Sequence, residues 1–255
     1  MRRAWLAALA ALALLGAGPQ SPASPRIVLA ATPIARLDLP WWRARFAAKA
    51  EELRKTSVDL VFYGDSITED YERAGPEPWR NFVPIWQHYY GARHAINLGF
   101  KGDTTANLLW RLMHGETSGI APKVAVVLIG ANNLGRLHWS AEDTIAGIAA
   151  DVAALRQRLR ETRILLLGIL PSERSAWASE TTLAVNRALA ARYREASFVT
   201  FLDIGDVFMK NGALDQSLFL DPLLTPPEAP LHPNAEGQRR MAAAIEPTLR
   251  RLLAE

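Results

Sequence analysis

The sequence predicts an α/β fold in which helices cover both faces of a parallel sheet. Short runs rich in apolar and β-branched residues alternate along the chain with longer segments of helical spacing. The run 124–129 is apolar throughout until a glycine ends it, which is typical of a central parallel strand buried on both faces. Five such runs indicate a flavodoxin-like strand order and a three-layer α/β/α sandwich.

The individual elements follow from the spacing of apolar residues and from turn residues. The predicted strands are 58–63, 94–98, 124–129, 163–170 and 198–204. The predicted helices are 41–55, 79–89, 105–114, 141–161, 178–196 and 234–253. A loop rich in Pro and Asp, 211–230, precedes the last helix, and Asn234 is the expected N-cap of that helix.

Length and composition bound the class of protein. The 255 residues suffice for one domain with a full core, and 49% of them are hydrophobic. The formal net charge is +3, but the 29 basic and 26 acidic residues are interspersed, which argues against a nucleic-acid partner. The absence of Cys excludes disulfides, thiolate metal sites and a cysteine nucleophile. The histidines lack metal-ligand spacing, so we expect no metal site.

The N-terminus predicts an export signal. Arg2 and Arg3 precede an apolar stretch, 4–17, that is too short to span a bilayer comfortably. A Pro/Ser-rich segment follows, and small residues suited to cleavage occur at 17–18 and again at 29–31.

We therefore expect a signal peptide over 1–30 and a single domain over 31–255. The mature protein would be exported, either periplasmic or secreted, and would have no stable membrane span. An uncleaved membrane anchor is the alternative.

A candidate nucleophile follows the first strand. That strand ends at Gly64, which permits a sharp change of direction, and Ser66 comes two positions later. Open α/β sheets place their ligand sites at this carboxyl edge, and the Ser66 N–H at a helix N-terminus could face a developing negative charge. An ordinary Ser/Thr-rich N-cap is the alternative.

Three further polar segments are expected at the same edge of the sheet. Gly102 follows the second strand, Asn132 follows the third, and His232 precedes the last helix. Acyl transfer needs a hydroxyl nucleophile, an imidazole base and donors for an oxyanion. Ser66 and His232 supply the first two. The N–H groups of Ser66 and Gly102, with the Asn132 side-chain amide, supply the oxyanion hole.

These residues lie in four blocks that resemble the GDSL/SGNH hydrolase family, in that family's order. The blocks are Gly64-Asp-Ser-Ile, Asn97-Leu-Gly-Phe-Lys-Gly102, Gly130-Ala-Asn-Asn133 and Leu231-His-Pro-Asn-Ala-Glu-Gly237. The stretch 41–133 is most similar to the branch of platelet-activating-factor acetylhydrolase. The resemblance implies the SGNH hydrolase fold, Ser66 as nucleophile, His232 as base, and Gly102 and Asn132 in the oxyanion hole, with no cofactor or metal.

One position departs from the family pattern. The family carries Asp three residues before the histidine, where this chain has Ala229. Asp221 or Glu228, on the same loop, could orient His232 instead. A backbone carbonyl could also serve and leave a Ser–His dyad, or the protein could be inactive. The question matters because loss of the orienting Asp from a Ser-His-Asp triad costs about 10⁴ in kcat.

The sequence as a whole predicts an exported serine esterase or acylhydrolase that cleaves carboxylic esters, acetyl esters among them, through an acyl-enzyme. The alternatives are an acyltransferase, a deacetylase of cell-envelope carbohydrate, or an inactive protein that binds an acylated ligand. A flavodoxin-like cofactor binder is disfavoured because the first turn lacks a phosphate-cradling Gly-rich loop. The expected partner is a small-molecule, glycan or lipid ester, and the sequence makes no prediction of the oligomeric state. Substrate choice is assigned to the loops 69–78, 135–140, 174–177 and 211–230.

Several other polar residues have structural interpretations. Asp65 is expected to form a turn-stabilising Asx bond. Thr104 is expected to cap the helix that follows the second strand, and Asn133 is assigned to a surface loop beside Asn132. Asp203 and Asp206 resemble a carboxylate pair, for which a structural role is preferred.

Overall fold

A computed structural model of the chain describes residues 26–79 and 81–254. Its main sheet is built from five parallel strands: β1 (Leu60–Gly64), β2 (Ala95–Gly99), β3 (Val124–Leu128), β4 (Arg163–Leu167) and β5 (Val199–Leu202). They lie in the order β2-β1-β3-β4-β5, which is the flavodoxin-like order. The predicted α/β architecture is confirmed, although β1, β3, β4 and β5 are shorter than the predicted strands.

The strands alternate with helices, and the long helices agree with the predicted ones to within about four residues. The helices are α1 (Pro40–Lys55), α2 (Ser66–Glu69), α3 (Phe82–Tyr90), α4 (Thr105–Met113), α5 (Ala131–Gly135), α6 (Ala141–Arg158), α7 (Ala176–Tyr193) and α8 (Ala235–Ala254). The loop before α8 is more ordered than its composition suggests. It contains a small antiparallel hairpin, β6 (Met209–Lys210) with β7 (Ala213–Leu214), and 3₁₀ turns at Gln216–Leu218 and Asp221–Leu223.

The sheet is buried on both faces because alternate strand residues point to opposite sides. On one face, strand residues such as Val61 and Val127 pack with apolar residues of α1, α4, α6 and α7. On the other, residues such as Phe62 and Val126 pack with α3 and α8. This arrangement explains why β1 and β3 are buried at every position.

The strand register aligns the ends of β2, β1 and β3, which are neighbours in the sheet. Gly64 of β1 lies opposite Gly99 of β2 and Leu128 of β3, so the loops after these strands leave the sheet side by side. A glycine is needed at position 64, because a Cβ there would lie 2.2 Å from Thr68 Oγ1 and 2.6 Å from the Leu128 carbonyl oxygen. The chain can therefore turn tightly into α2 at this edge.

The segment 26–34 packs against the sandwich. Arg26 pairs with Asp143 at 2.7 Å, and the carbonyl of the buried Ala30 accepts a hydrogen bond from Thr105 Oγ1 at 2.7 Å. Most of the segment assigned to an export signal, 1–25, lies outside the described residues. Within 26–79 and 81–254, no helix has the length and apolar character needed to cross a membrane.

Candidate active site

Ser66 is the first residue of α2 and is buried at the carboxyl edge of the sheet. Asp65 caps this helix, and its Oδ1 accepts a hydrogen bond from the Ile67 N–H at 3.0 Å. The predicted Asx bond is therefore present. The imidazole Nε2 of His232 lies 2.9 Å from Ser66 Oγ. This distance suits proton transfer from the hydroxyl to the ring.

The other ring nitrogen of His232 contacts Asp221. Asp221 Oδ1 lies 2.6 Å from His232 Nδ1, and Oδ2 accepts hydrogen bonds from the backbone N–H groups of Leu231 (2.7 Å) and His232 (2.6 Å). The Asp221 side chain is only 3% exposed. Asp221 thus places a carboxylate against His232, although the family's usual position for this Asp is Ala229 in this chain.

Glu228, the other carboxylate left open by the sequence, lies on the cavity wall. Its backbone N–H donates to the Asp221 carbonyl at 3.0 Å, but its carboxylate makes no hydrogen bond to His232 in the described part of the chain. The expectation for Glu228 is therefore corrected from a partner of the imidazole to a residue that lines the cavity. The physical reason is that the 3₁₀ turn beginning at Asp221 aims that residue's side chain at the ring.

The loop reaches this arrangement through local backbone pairing. The Leu220 N–H donates to the His232 carbonyl at 2.7 Å, and Phe219 and Pro233 form an antiparallel bridge. Asn234 N-caps α8 as predicted, since its Oδ1 accepts the Gly237 N–H at 3.1 Å. The antiparallel pairing explains how residues eleven positions apart can meet.

Electrostatics at the His232–Asp221 pair favour the charged forms. Burial lowers the pKa of His232, but the hydrogen bond and the charge of Asp221 outweigh it, so the pKa is raised above its ordinary value. Burial raises the pKa of Asp221, but its hydrogen bonds with His232 and Leu231 and the imidazole charge bring it below its ordinary value. The pair is therefore suited to an imidazolium beside a carboxylate.

The three expected oxyanion donors line the same cavity as His232. As the first residue of a helix, Ser66 has no intrahelical acceptor for its N–H. Gly102 has φ +75, a conformation that favours glycine. The Asn132 side chain is buried, and its Nδ2 donates to the Asp103 carbonyl at 3.0 Å, so the amide is fixed beside the Gly102 loop.

A buried ionic network, not anticipated from the sequence, supports the donor side of the site. Arg111 of α4 is 0% exposed, and its Nε donates to Asp103 Oδ2 at 2.8 Å. Its Nη2 donates to the Gly64 carbonyl and its Nη1 to the Leu98 carbonyl, each at 3.1 Å. Its Nη1 also pairs with the buried Glu116. One guanidinium therefore connects the ends of β1 and β2 to the loop that carries Gly102.

Of two polar residues near the donors, Asn133 differs from expectation and Thr104 agrees with it. Asn133 is buried, not on a surface loop, because its Oδ1 accepts the Thr105 N–H at 3.1 Å and its Nδ2 donates to Thr105 Oγ1 at 2.7 Å. Thr104 does form a capping box with Asn107, as expected of a helix cap. Asn133 thus joins α5 to the start of α4.

The cavity around Ser66 has a volume of about 680 Å³. It is lined by Arg36, Trp41, Ser66, Lys101, Gly102, Asn132, Arg136, Arg174, Asp221, Glu228, Ala229, Leu231 and His232. Trp42 is fully buried, whereas Trp41 is 44% exposed and lies on the cavity wall.

Asp203, one of the two carboxylates that resemble a pair in the sequence, is held by local hydrogen bonds. Asp203 Oδ1 accepts the Gly205 N–H at 2.9 Å, and its Oδ2 accepts a hydrogen bond from Asn186 Nδ2 at 3.1 Å. These contacts fit the structural role preferred for Asp203. Across residues 26–79 and 81–254, no three His, Cys, Asp or Glu side chains are grouped so that they could hold a metal ion.

Comparison with known proteins identifies a family. The model of the GDSL-like lipase/acylhydrolase family matches residues 62–240. Platelet-activating factor acetylhydrolase IB subunit alpha2 of Rattus norvegicus is 31% identical over 175 residues, which cover 68% of this chain and 71% of the relative.

Two solved structures share the fold. A GDSL-like lipase from Bacteroides thetaiotaomicron has a TM-score of 0.62 at 18% identity, over 82% of this chain and 98% of that one. A catalytic mutant of an acetylxylan esterase from Geobacillus stearothermophilus has a TM-score of 0.56 at 20% identity, over 77% of this chain and 94% of that one. The chain therefore belongs to the GDSL-like lipase/acylhydrolase family and is an ester-hydrolysing enzyme.

Proposed function

We propose that the protein is a serine esterase that uses Ser66 as nucleophile, His232 as general base and Asp221 as the carboxylate that orients the base. The observation that carries the proposal is the unbroken chain of contacts from Ser66 Oγ to His232 Nε2 (2.9 Å) and from His232 Nδ1 to Asp221 Oδ1 (2.6 Å). A nucleophile, a base and an orienting group within hydrogen-bond reach are the requirements of nucleophilic ester cleavage.

In the first step, Ser66 Oγ attacks the ester carbonyl while His232 Nε2 accepts the hydroxyl proton. The negative charge that develops on the carbonyl oxygen is stabilised by the N–H groups of Ser66 and Gly102 and by Asn132 Nδ2. Asp221 stabilises the imidazolium and holds its Nδ1 proton. The imidazolium then protonates the leaving alcohol, and an acyl-enzyme remains on Ser66.

In the second step, His232 removes a proton from water, which attacks the acyl carbonyl in the same oxyanion hole. Collapse of the tetrahedral intermediate releases the acid, and the proton returns to Ser66 Oγ. An acyltransferase would replace the water by an acceptor alcohol and would otherwise use the same residues.

Short acyl groups, acetyl foremost, are the proposed acyl substrates. The sequence relative is named an acetylhydrolase and one solved neighbour an acetylxylan esterase, and these names support the expectation. A deacetylase of envelope carbohydrate fits the same chemistry, since only the alcohol part of the ester differs.

The test is hydrolysis of p-nitrophenyl acetate and longer p-nitrophenyl esters by the wild-type chain, Ser66→Ala and Ser57→Ala. Ser57 is exposed and lies outside the cavity, so its variant controls for loss of a serine hydroxyl. We expect turnover to be fastest with acetate, to persist in Ser57→Ala and to fall by about 10⁶ in Ser66→Ala. Retained turnover in Ser66→Ala would contradict the proposal. Adding an acceptor alcohol and measuring the transfer product separates hydrolase from transferase.

We also propose that the protein is exported and that the signal is cleaved ahead of Arg26, near 17–18. The support is the charged and apolar pattern of the N-terminus, together with the packing of 26–34 on α4 and α6. Cleavage at 29–31 would remove the Arg26–Asp143 pair and the Ala30 carbonyl that Thr105 contacts. N-terminal sequencing of the protein from culture fluid and periplasm tests both points, and an intact N-terminus in the cytoplasm would contradict them.

A further inference from the structure

The cavity around Ser66 carries more cationic than anionic side chains. Four cations line it, namely Arg36, Lys101, Arg136 and Arg174, against the two carboxylates Asp221 and Glu228. The charge of Asp221 is already met by the His232 ring and by two backbone N–H groups.

Three of the four cations form no salt bridge to a described carboxylate. Arg36 pairs with the buried Asp103 at 2.9 Å. Lys101, Arg136 and Arg174 form no salt bridge with any described residue. On the described cavity wall, Glu228 is the carboxylate that does not already pair with His232. A charge excess of this sign favours anionic ligands and concentrates them in the cavity.

Arg174 makes the strongest case for ligand binding. Its Nη1 is buried and has no hydrogen-bond partner among the described residues. Burial lowers the pKa of Arg174, although the charges of Asp221 and Asp65 oppose the shift. A buried N–H of a cation without an acceptor is destabilising, and an anionic ligand in the cavity would supply the acceptor.

The guanidinium groups lie close to the segments that carry the oxyanion donors. A Cβ on Gly135, at the end of α5, would lie 2.5 Å from Arg174 Nη1. A Cβ on Gly102 would lie 2.9 Å from Arg136 Nη1. Arg136 and Arg174 belong to two of the loops that the sequence assigned to substrate choice. Their placement puts positive charge near the ester carbonyl of a bound substrate.

We propose that the substrate is an ester that carries a carboxylate or phosphate group next to the scissile bond, and that Arg136 and Arg174 bind this anion. The proposal rests on the esterase function and narrows its substrate class. Guanidinium groups suit this role because their N–H pairs match the oxygen atoms of carboxylates and phosphates. An ester with no charged group would leave the buried Arg174 N–H without an acceptor.

The first test compares acetate esters that share the acyl group and differ in charge: 4-acetoxybenzoate, its methyl ester, and 4-acetoxyphenyl phosphate. kcat/KM is measured for the wild-type chain, Arg174→Gln, Arg136→Gln and the control Arg187→Gln, an exposed arginine of α7 outside the cavity. Each ester is compared with itself across variants, so its intrinsic reactivity cancels.

We expect the ratio of kcat/KM for an anionic ester to that for the neutral ester to fall about tenfold in Arg174→Gln and in Arg136→Gln. The ratio should not change in Arg187→Gln. A larger fall for the benzoate or for the phosphate identifies the anion preferred. Equal falls for charged and neutral esters would overturn the proposal, because the arginines would then act on the oxyanion or on the fold.

A second pair places the charge on the acyl side, mono-p-nitrophenyl succinate against p-nitrophenyl butyrate, with the same variants. If the ratio of anionic to neutral kcat/KM falls in this pair, the proposal holds with the anion on the acyl group of the substrate. If it falls in the first set, the proposal holds with the anion on the alcohol part. No selective fall in either set overturns it.

A binding measurement separates this proposal from the esterase function. Calorimetry compares 4-hydroxybenzoate with its methyl ester as ligands of Ser66→Ala and of the double variant Ser66→Ala/Arg174→Gln. Tighter binding of the anion, weakened about tenfold in the double variant, supports anion recognition even if no ester is turned over. Equal binding of both ligands would contradict it. Failure of the esterase function would show instead as retained neutral-ester turnover in Ser66→Ala.

Discussion

The two sides of the active site are held in place by different means. Ser66, Gly102 and Asn132 follow adjacent strands of the sheet, and the fully buried Arg111 connects the ends of β1 and β2 to the loop that carries Gly102. His232 stands on the loop before α8, is 25% exposed, and depends on hydrogen bonds within that loop. The residues that carry the oxyanion donors are thus held by the core, whereas His232 is held by hydrogen bonds within a single loop.

Because of this difference, substitutions on the two sides should affect the free energy of unfolding and the catalytic rate in different proportions. Substitutions in the support of the donor side should lower the free energy of unfolding together with the rate. Substitutions on the base side should lower the rate and change unfolding much less, because few core contacts depend on them.

The largest effect is expected on the base side. Asp221→Asn should lower kcat by about 10⁴, because the ring of His232 loses the carboxylate that stabilises the imidazolium and selects its tautomer. The matched control is Glu228→Gln, which removes a neighbouring carboxylate that does not contact the ring. Steady-state kinetics with p-nitrophenyl acetate measure both. A larger loss in the control than in Asp221→Asn would show that the assignment is reversed.

On the donor side, the largest effect should appear in stability. Arg111→Met leaves the buried Asp103 and Glu116 carboxylates without their shared cation and should lower the free energy of unfolding by about 3–5 kcal/mol. Urea unfolding of this variant and of the exposed control Arg187→Met measures the difference. Adding Glu116→Gln should recover part of the loss. If Arg111→Met and the control have the same free energy of unfolding, the ionic network does not stabilise the donor side.

Asn132 and Asn133 offer a neighbouring pair with opposite expectations. Asn132→Ala removes the proposed oxyanion donor and should lower kcat by about 10²–10³, with a smaller change in KM. Asn133→Ala removes hydrogen bonds to Thr105 and should lower the free energy of unfolding by about 1–3 kcal/mol. Kinetics and urea unfolding of both variants give the comparison. Equal loss of kcat in the two would refute the separate roles.

The smallest effect is a shift along the pH axis. His232 must be neutral to act as base, and its pKa is raised by Asp221, so kcat/KM should fall as the pH drops through a value above the ordinary 6.5 of histidine. In Asp221→Asn the opposing effect of burial remains, so the remaining activity should fall at a lower pH than in the wild type. A pH profile whose acidic limb moves to higher pH in this variant would contradict the explanation.

The sequence was informative wherever a residue is tied to a strand end. Ser66, Gly102 and Asn132 could be located because parallel strands end at one edge, and His232 because it precedes the last helix. The choice between Asp221 and Glu228 could not be made, because it depends on the antiparallel pairing of residues 219–220 with 232–233 inside a loop.

Ion pairs between residues on different elements could not be predicted from the sequence either. Arg111 resembles any arginine of an amphipathic helix, and its burial follows only once Asp103 and Glu116 fold around it. Likewise Arg136 and Arg174 come from separate loops, and only the folded chain brings them to one cavity. Loop residues lack the periodicity that identifies core residues. The sequence could therefore assign these loops to substrate choice but could not identify the two arginines.

The rate at which a fluorophosphonate labels Ser66 tests the proposed mechanism without any choice of ester, because this rate reports activation of the nucleophile. Mass spectrometry of wild type, Asp221→Asn and Glu228→Gln gives the labelled residue and the rate. We expect the label on Ser66, slowed strongly in Asp221→Asn and unchanged in Glu228→Gln. An unlabelled Ser66 in the wild type, or labelling unaffected by Asp221→Asn, would contradict the Ser66–His232–Asp221 mechanism.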